Sequence, residues 1–431
     1  MTVLTRATAF PHSRTVISTV AWAGIVAVVL AGCSPDAAGA PPQSAVAAES
    51  GDGAQPIDAG KRDLTLKIGS ILPESGALAF LGPPDEAGVK LAVADVNAAN
   101  TGLTIDATYR DSGDTTTDTA TVSVTDLLAG GATAIVGAAS SAVSMSVIDQ
   151  ITGAGAVHFS PANTSPDFTD YPDQGLFWRT NPSDLLQGEV LGNQIAEDGN
   201  STLGLIVLND SYGTALADAT TAAFEGAGGE VVATSLFNEG EANFSSQIAD
   251  VTAAKPDAIA LITFDQAQVI TPALVGTGFP GDQLYFVGSN LSDYSDTFEP
   301  GLITGATGTR PGAKQVTAFT DRLLELDPSL TDFTYAAESY DAVILLALAA
   351  YAGNDVSGRA IADNLRQVSG GTGDGTKVTD FADAAATLAA GEQIDYDGPS
   401  GLITFDEHGD PTEATIGVYE YGDDNTYSRI T

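Results

Sequence analysis

Two short stretches of small and hydroxyl-bearing residues carry the groups best suited to holding a ligand. Ser141 follows the apolar run 134–137, where a helix should begin, and Ala162 and Thr164 follow a second apolar run, 156–159. The N-terminus of a helix suits a carboxylate, because its first N–H groups lack partners and its dipole favours negative charge. Hydroxyl residues at such positions also serve as ordinary helix caps, and the local sequence leaves both roles open.

The apolar runs before these residues are predicted to be neighbouring strands. Strand-like and helix-like segments alternate along most of the chain, as in strand 203–208 and helix 215–227. This alternation predicts an α/β fold with mostly parallel sheets flanked by helices. Such sheets bind ligands at the carboxyl ends of their strands, which is where the two polar stretches lie. The most apolar helix is predicted at 333–351, and hairpins are predicted at 401–405 and 415–421.

Length and composition limit the function further. The chain has 431 residues, which is enough for two α/β lobes. Its formal net charge is −40, from 16 Lys and Arg against 56 Asp and Glu, and such a field repels nucleic acid and anionic membrane surfaces. Cys33 is the only cysteine, so neither an internal disulfide nor a thiolate metal cluster can form.

The N-terminal segment has the pattern of a lipoprotein leader. Arg6 and Arg14 precede an apolar segment, 16–30, which is short for a spanning helix and ends in small residues. The run Leu-Ala-Gly-Cys that ends at Cys33 resembles a bacterial lipobox, which implies that residues 1–32 are removed as a signal peptide and that Cys33 carries a lipid. Residues 33–62 are rich in Ala, Pro, Ser, Gly and Asp, and they are predicted to form a flexible tether.

A series of short motifs resembles the type I periplasmic-binding-protein family, in its leucine/isoleucine/valine-binding branch. They occur in the order that the family shows and extend over nearly the whole chain after the tether. The motifs are Pro73-Glu-Ser-Gly, Asp111 after the second strand, Ile135-Val-Gly, Ser160-Pro-Ala-Asn-Thr, Phe177-Trp-Arg-Thr-Asn-Pro-Ser-Asp, Asn209-Asp-Ser-Tyr-Gly, Tyr340-Asp-Ala and Gly401-Leu-Ile-Thr-Phe-Asp.

The resemblance implies a two-lobed fold in which the chain crosses between the lobes three times. The crossings are expected near Asn181, Thr309 and Asp410. Lobe one would then comprise residues 63–181 plus 309–410, and lobe two residues 182–308 plus 411–431.

The resemblance also implies a ligand site between the lobes. In family members that bind amino acids, one lobe holds the α-carboxylate and the ammonium with groups that correspond to Ser141, Ala162 and Thr164, which favours binding over capping for these residues. The opposite lobe and the first loop would supply the remaining contacts. The candidates there are Tyr212, Phe264, Asp265, Asn290 and, from the first loop, Phe80 or Leu81.

Asn290 departs from the family pattern. Leucine-type binders carry a glutamate there that faces the ammonium, whereas Asn290 is neutral. A buried ammonium needs a paired anion, and the nearest candidate by sequence position is Asp265, after the predicted strand 258–264. Asp265 is therefore predicted to face the ammonium, with Tyr212 and Phe264 lining the side-chain space, or else to cap the helix that follows it.

The sequence predicts no catalytic residue, cofactor or metal. His158 is predicted to pack within a strand and His408 to be solvated in a turn, and no nucleophile elbow, phosphate-binding glycine loop or His-rich metal motif occurs. The prediction is a monomeric receptor on the extracytoplasmic face, in contact with the membrane through its lipid alone. It would pass a small amino acid or related polar compound to the permease subunits of an ABC importer. The alternative is a tethered sensor that reports its ligand to a signalling partner.

Overall fold

The first sheet consists of five parallel strands. In the computed structural model, which describes residues 62–373 and 375–431, its order is β2-β1-β3-β4-β5, and every adjacent pair is parallel. The predicted signal peptide, lipidated Cys33 and most of the tether lie outside the described residues. The strands are β1 (Leu64–Leu72), β2 (Leu103–Asp111), β3 (Ala134–Gly137), β4 (Val157–Ser160) and β5 (Phe177–Arg179), and the helices between them are α1 (Gly82–Ala98), α2 (Thr119–Ala129) and α3 (Ser141–Gly153).

Both faces of the first sheet are covered, which explains why every residue of β3 and β4 is buried rather than every second one. Val136 and Phe159 belong to the core on the side of α1, while Ile135 packs with α2 and α3 on the other side. His158 is fully buried in β4, with its Nε2 2.7 Å from the carbonyl oxygen of Gly137. Burial lowers its pKa to about 4, so it is a neutral core residue, as the sequence predicts.

The chain then builds most of a second sheet. Its strands here are β6 (Thr202–Leu208), β7 (Glu230–Phe237), β8 (Ala258–Ile262), β9 (Leu284–Val287) and β10 (Thr307–Pro311). Its helices are α4 (Asp184–Glu197), α5 (Ser211–Gly226), α6 (Ser245–Ala253) and α7 (Ala267–Gly276). The run Leu203–Leu208 in β6 is wholly buried, as expected for a central strand of a parallel sheet.

After β10 the chain returns to the first lobe. This segment contains α8 (Thr317–Leu326), α9 (Ala336–Gly353), α10 (Gly358–Val368), β11 (Thr376–Val378), α11 (Phe381–Ala389) and β12 (Ile394–Tyr396). Helix α9 is long and apolar enough to span a membrane, but 89% of it is buried inside the fold, where it packs on α1 and α10. It is a core helix, as the sequence predicts.

The last two strands complete the second sheet and are its antiparallel part. They are β13 (Ile416–Tyr421) and β14 (Tyr427–Arg429), and the full order is β14-β13-β10-β9-β8-β6-β7. The hairpin predicted at 415–421 is confirmed in part: these residues form its first strand, β13, and its second strand, β14, lies beyond the predicted bounds. The one predicted at 401–405 is wrong, because that segment forms only isolated bridges, Gly398–Gly401 and Phe405–Pro411. The predicted α/β class with mostly parallel sheets is confirmed.

The chain passes between the two sheets three times: between β5 and α4, between β10 and α8, and between β12 and β13. Thr309, expected at the second passage, lies inside β10, where it pairs with Val287 and Val418. Arg179 and Asp410 join the first passage to the third, because the Arg179 Nε and Nη2 donate to the two carboxylate oxygens of Asp410 at 2.6 and 2.9 Å. The Arg179 side chain is fully buried, so this bidentate ion pair holds the first and third passages together. We call this region, where the chain passes between the lobes, the hinge.

Candidate functional site

A small cavity lies between the lobes where the carboxyl ends of the central strands of both sheets meet. Its volume is about 20 Å³, roughly the space of one water molecule. It is therefore much smaller than an amino acid, and a ligand of that size requires the lobes to separate. The lining residues are Leu78, Leu81, Ala139, Ser140, Ser141, Ala162, Thr164, Gln187, Tyr212, Phe264, Ser289 and Tyr335.

The first-lobe wall of this cavity consists of the two polar stretches after β3 and β4. Ser140 is the N-cap of α3, since its side chain accepts from the Val143 N–H at 3.4 Å. The Ser141 hydroxyl oxygen accepts from the N–H groups of Thr164 and Ser165 at 3.4 and 3.3 Å, so its own proton stays available to a ligand. Both serines line the cavity, but only Ser140 caps the helix, so the Ser141 hydroxyl is the one left available to a ligand.

The N–H of Ala162 is already engaged within this wall. It donates to the Ser160 hydroxyl at 3.2 Å, as does the N–H of Asn163 at 3.0 Å. The side-chain donors that remain on this wall are the hydroxyl groups of Ser141 and Thr164, and that of Thr164 also lies beside the Asp184 carboxyl group. Both residues are almost completely buried.

The second-lobe wall is aromatic and is fixed by a chain of hydrogen bonds. The Ser289 hydroxyl donates to the Thr263 carbonyl oxygen at 2.8 Å, so the Tyr212 hydroxyl, 2.6 Å from Ser289, must donate to it. The Tyr212 ring stacks on Phe264 with centroids 5.7 Å apart. Tyr212 and Phe264 thus form a fixed apolar surface opposite the hydroxyl groups of the first lobe.

Asp184, the first residue of α4, is the main feature of this region that sequence reasoning did not assign. Its side chain is fully buried, and neither carboxylate oxygen has a partner of good hydrogen-bond geometry among the described residues, although the Thr164 hydroxyl lies close enough to lower its pKa. Its N–H donates to the carbonyl oxygen of Thr164, a lining residue, at 2.6 Å, so Asp184 lies directly behind the wall of the cavity. Burial raises the pKa of Asp184 to about 8; the Thr164 hydroxyl and the Arg179 guanidinium lower it, and Asp210 raises it.

Asn290 lies outside the cavity lining and has a different role. Its side-chain amide donates to the Leu261 carbonyl oxygen at 2.8 Å and to the Thr263 hydroxyl at 2.9 Å. Its side-chain oxygen accepts from the Val287 N–H at 2.8 Å. These bonds join the ends of β8 and β9, so the side chain of Asn290 has little capacity left for a ligand.

Asp265 is also absent from the cavity lining. It is exposed at the outer edge of the cleft, and α7 begins after Gln266, without a side-chain cap from Asp265. Partial desolvation and the carboxylates Glu239 and Asp114 raise its pKa. Asp265 therefore belongs to an acidic rim of the cleft.

The lobes are in contact at this acidic rim. The Thr115 hydroxyl, from the loop after β2, donates to the Glu239 carboxylate, from the loop after β7, and the Thr115 N–H donates to the same oxygen at 3.2 Å. Together with the small cavity, this contact means that the structure is in the closed arrangement. Of the first-loop candidates, Leu81 lines the cavity and Phe80 lines a separate, larger one.

Several residues that line the cavity could not readily be predicted from the sequence. Ser289 follows β9 and could have been found by the rule that located Thr164. Tyr335 has a backbone φ of +58°, which a bulky residue seldom adopts, so no pattern foretells where its ring lies. Gln187 reaches the cavity from α4 while donating to Thr309 in β10 at 3.0 Å. Asp184 did have a signal, because it ends the motif that begins at Phe177.

Comparison with known sequences identifies the family. A sequence model of the family described as periplasmic binding protein matches residues 65–425. The chain is also 29% identical over 282 residues to the "Chemotactic signal transduction system substrate-binding protein BasB" of Halobacterium salinarum. That alignment covers 63% of this chain and 65% of the relative, so just under two thirds of the relative's length is spanned.

Solved structures share the two-lobed fold. One is the branched-chain amino acid transporter substrate-binding protein LivJ from Streptococcus pneumoniae in complex with isoleucine, with a TM-score of 0.69, 22% identity and coverage of 85% of this chain and 99% of that chain. Another is a solute-binding protein of an ABC transporter from R. palustris in complex with benzoate, with a TM-score of 0.68, 18% identity and coverage of 85% and 95%. The family match over residues 65–425 and this common architecture establish that the chain belongs to the periplasmic binding protein family, whose members bind solutes.

Proposed function

We propose that the protein is a receptor that captures a small amino acid between its lobes and delivers it to an ABC importer. Membership in the family implies an extracytoplasmic location. The observation that carries the proposal is the pairing of hydroxyl donors with the buried carboxyl group of Asp184, which forms no ion pair within the described residues. Ser141 and Thr164 suit the α-carboxylate of the ligand, and Asp184 suits its ammonium.

Asp184 is proposed in place of Asp265 because of burial. A carboxylate that is fully buried without a partner is destabilised, and an ammonium beside it would remove that cost. Asp265 is exposed and only partly desolvated, so it has less to gain from a ligand. Ala162, Leu81, Tyr212 and Phe264 would then surround the side chain, and their surface favours an apolar one.

Calorimetry with leucine and with 4-methylpentanoate, which is leucine without its amine, tests the proposal. The Asp184→Asn variant should lose about 30-fold in leucine affinity, or ~2 kcal/mol, because the ammonium would be buried without an anion. Ser141→Ala should weaken both ligands about tenfold, because it removes a donor to the carboxylate that they share. Asp265→Asn is the matched control and should change leucine affinity by less than about threefold.

Three results would count against this assignment. If Asp184→Asn binds leucine as well as the unaltered protein does, the ammonium lies elsewhere. If 4-methylpentanoate binds as tightly as leucine, the ligand is a carboxylate without an amine, as in the benzoate complex of the R. palustris protein. If none of the natural amino acids binds, the ligand class is wrong.

Signalling is the second candidate function, and one observation favours it. The relative from Halobacterium salinarum is described as part of a chemotactic signal transduction system. Ligand capture would be the same in both cases, and the partner of the closed form would differ. Loss of ligand uptake on deletion of the protein supports delivery to a permease, whereas normal uptake with a lost chemotactic response supports sensing.

A further inference from the structure

A second cavity, which we call the side cavity, opens between the lobes near the ligand cavity. Its volume is about 720 Å³, which is within the usual range for small-molecule sites. Phe80 and Phe333, which precede the first-lobe helices α1 and α9, line one side, and Tyr294 of the second lobe faces them. The side cavity therefore has aromatic surface from both lobes.

Three cationic residues line this one cavity, although the chain has only 16 Lys and Arg in total and a net charge of −40. They are Arg310, at the end of β10, Lys314, in the second passage between the lobes, and Arg429, in β14. Asp293 and Asp332 also line the cavity, so its charge is mixed but more positive than that of the protein as a whole.

Arg310 is buried without a direct anionic partner. It is 8% exposed, and its hydrogen bonds go to the hydroxyl groups of Thr334, Tyr427 and Tyr419 at 2.8, 3.0 and 3.3 Å. In the described part of the chain it forms no ion pair with a carboxylate; Asp332 accepts instead from the N–H and hydroxyl of Thr334. A buried guanidinium in this situation would be stabilised by an anion.

The two tyrosines extend the set of donors. Since the Tyr419 and Tyr427 hydroxyl oxygens accept from Arg310, each O–H remains free to donate in turn. Burial raises the pKa of Tyr427 although Arg310 opposes this, so its phenol keeps its proton at neutral pH. The guanidinium, the two phenols and the Lys314 ammonium thus line the same space with hydrogen-bond donors.

We propose that the side cavity binds an organic anion. The carboxylate, sulfonate or phosphate group of this anion would contact Arg310, Lys314 and the phenol groups of Tyr419 and Tyr427. The apolar part of the anion would lie against Phe80 and Phe333. Acidic residues elsewhere on the surface oppose such a ligand only weakly, because charges more than about 10 Å away are screened at 0.1 M salt. Asp293 and Asp332 oppose it from within the cavity, where the three cationic residues outnumber them.

Calorimetry with 1-naphthalenesulfonate at constant ionic strength tests this site. The probe should bind with one site per chain and be displaced by sulfate but not by chloride. Tyr427→Phe, which removes one donor and keeps the ring, and Lys314→Ala, at an exposed position, should each weaken the probe severalfold to about tenfold. Lys90→Ala is the matched control, because Lys90 lines a different cavity beside Glu74, Glu86 and Asp327, and it should leave probe binding unchanged.

The test separates this site from the amino acid site. Ser141→Ala should leave naphthalenesulfonate binding intact. If Ser141→Ala weakens the probe and Tyr427→Phe does not, the anion occupies the cavity between Ser141 and Tyr212, and the proposal fails. It also fails if Lys314→Ala and Tyr427→Phe, shown to be folded by their thermal melting, bind the probe as the unaltered protein does.

Discussion

At the scale of single residues, the proposed recognition of an amine depends on the carboxyl group of Asp184. In the closed arrangement it is buried beside the Thr164 wall, and its raised pKa of about 8 means that it is mostly protonated at pH 7. An ammonium placed next to it would favour the ionised form and lower that pKa. Binding of an amino acid and loss of a proton from Asp184 are therefore linked.

Leucine binding should release close to one proton near pH 7, because Asp184 passes from protonated to ionised. Leucine affinity should therefore rise between about pH 6 and pH 8. As the pH approaches the pKa of the unliganded Asp184, less of the binding free energy is needed to remove its proton. Calorimetry in buffers with different ionisation enthalpies measures the released proton. In Asp184→Asn the residual binding should show no dependence on the buffer; a persistent proton release would assign the linkage to another group, such as Asp210, whose pKa is raised to about 6.

At the scale of elements, the contact between α4 and α5 holds the ligand-facing ends of both helices in place. Gly188 and Gly192 of α4 lie against Ala219, Thr220 and Ala223 of α5, so closely that an added Cβ would meet backbone atoms. Asp184 begins α4 and Tyr212 lies in the first turn of α5. The packing of these two helices therefore sets the distance between the proposed ammonium partner and the aromatic wall.

Gly192→Ala should destabilise the protein by about 1–3 kcal/mol, because the added methyl group would lie 2.5 Å from the Thr220 carbonyl oxygen and force the helices apart. Gly226→Ala, at the end of α5, is the matched control: nothing lies within 4 Å of its added Cβ. It should leave stability unchanged or raise it by up to about 1 kcal/mol. Urea unfolding followed by circular dichroism measures both, and equal midpoints for the two variants would contradict this account.

The sequence predicts well what depends on the ends of parallel strands. Ser141, Thr164 and Phe264 follow buried strands, and such ends meet at one edge of each sheet, so their approach could be expected. The direction of a side chain beyond the end of a strand could not be predicted in this way. Asp265 is exposed, although its neighbour Phe264 lines the cavity. Asn290 likewise joins β8 to β9 through its amide, a role that only the register of the two strands reveals.

At the scale of the whole molecule, the lobes close around a cleft whose outer edge is acidic. Partial burial raises the pKa values of Glu239 and Asp265, and the neighbouring carboxylates, Asp114 for both and Glu239 for Asp265, raise them further. In a protein of net charge −40, this edge favours zwitterionic and cationic solutes over anionic ones at the entrance to the amino acid site. The proposed lipid on Cys33 would keep the two lobes next to the membrane.

Replacing Cys33 with serine should move the protein from the membrane fraction to the soluble fraction, because Cys33 is the only thiol available to carry a lipid. Immunoblots of washed membranes and of culture supernatants measure this distribution. Ser34→Ala is the matched control and should remain with the membrane. Retention of the Cys33→Ser variant on membranes after high-salt washing would contradict the lipid anchor.

The small volume enclosed between the lobes also governs the timing of binding. Because about 20 Å³ cannot admit an amino acid, each association event must wait for the closed form to open, and each departure must do the same. The observed association rate should then level off at high ligand concentration, at the rate of opening. Ligands that differ in affinity would share this upper limit on the association rate. The lifetime of the complex would depend on the hinge at Arg179 and Asp410 as much as on the contacts of the ligand.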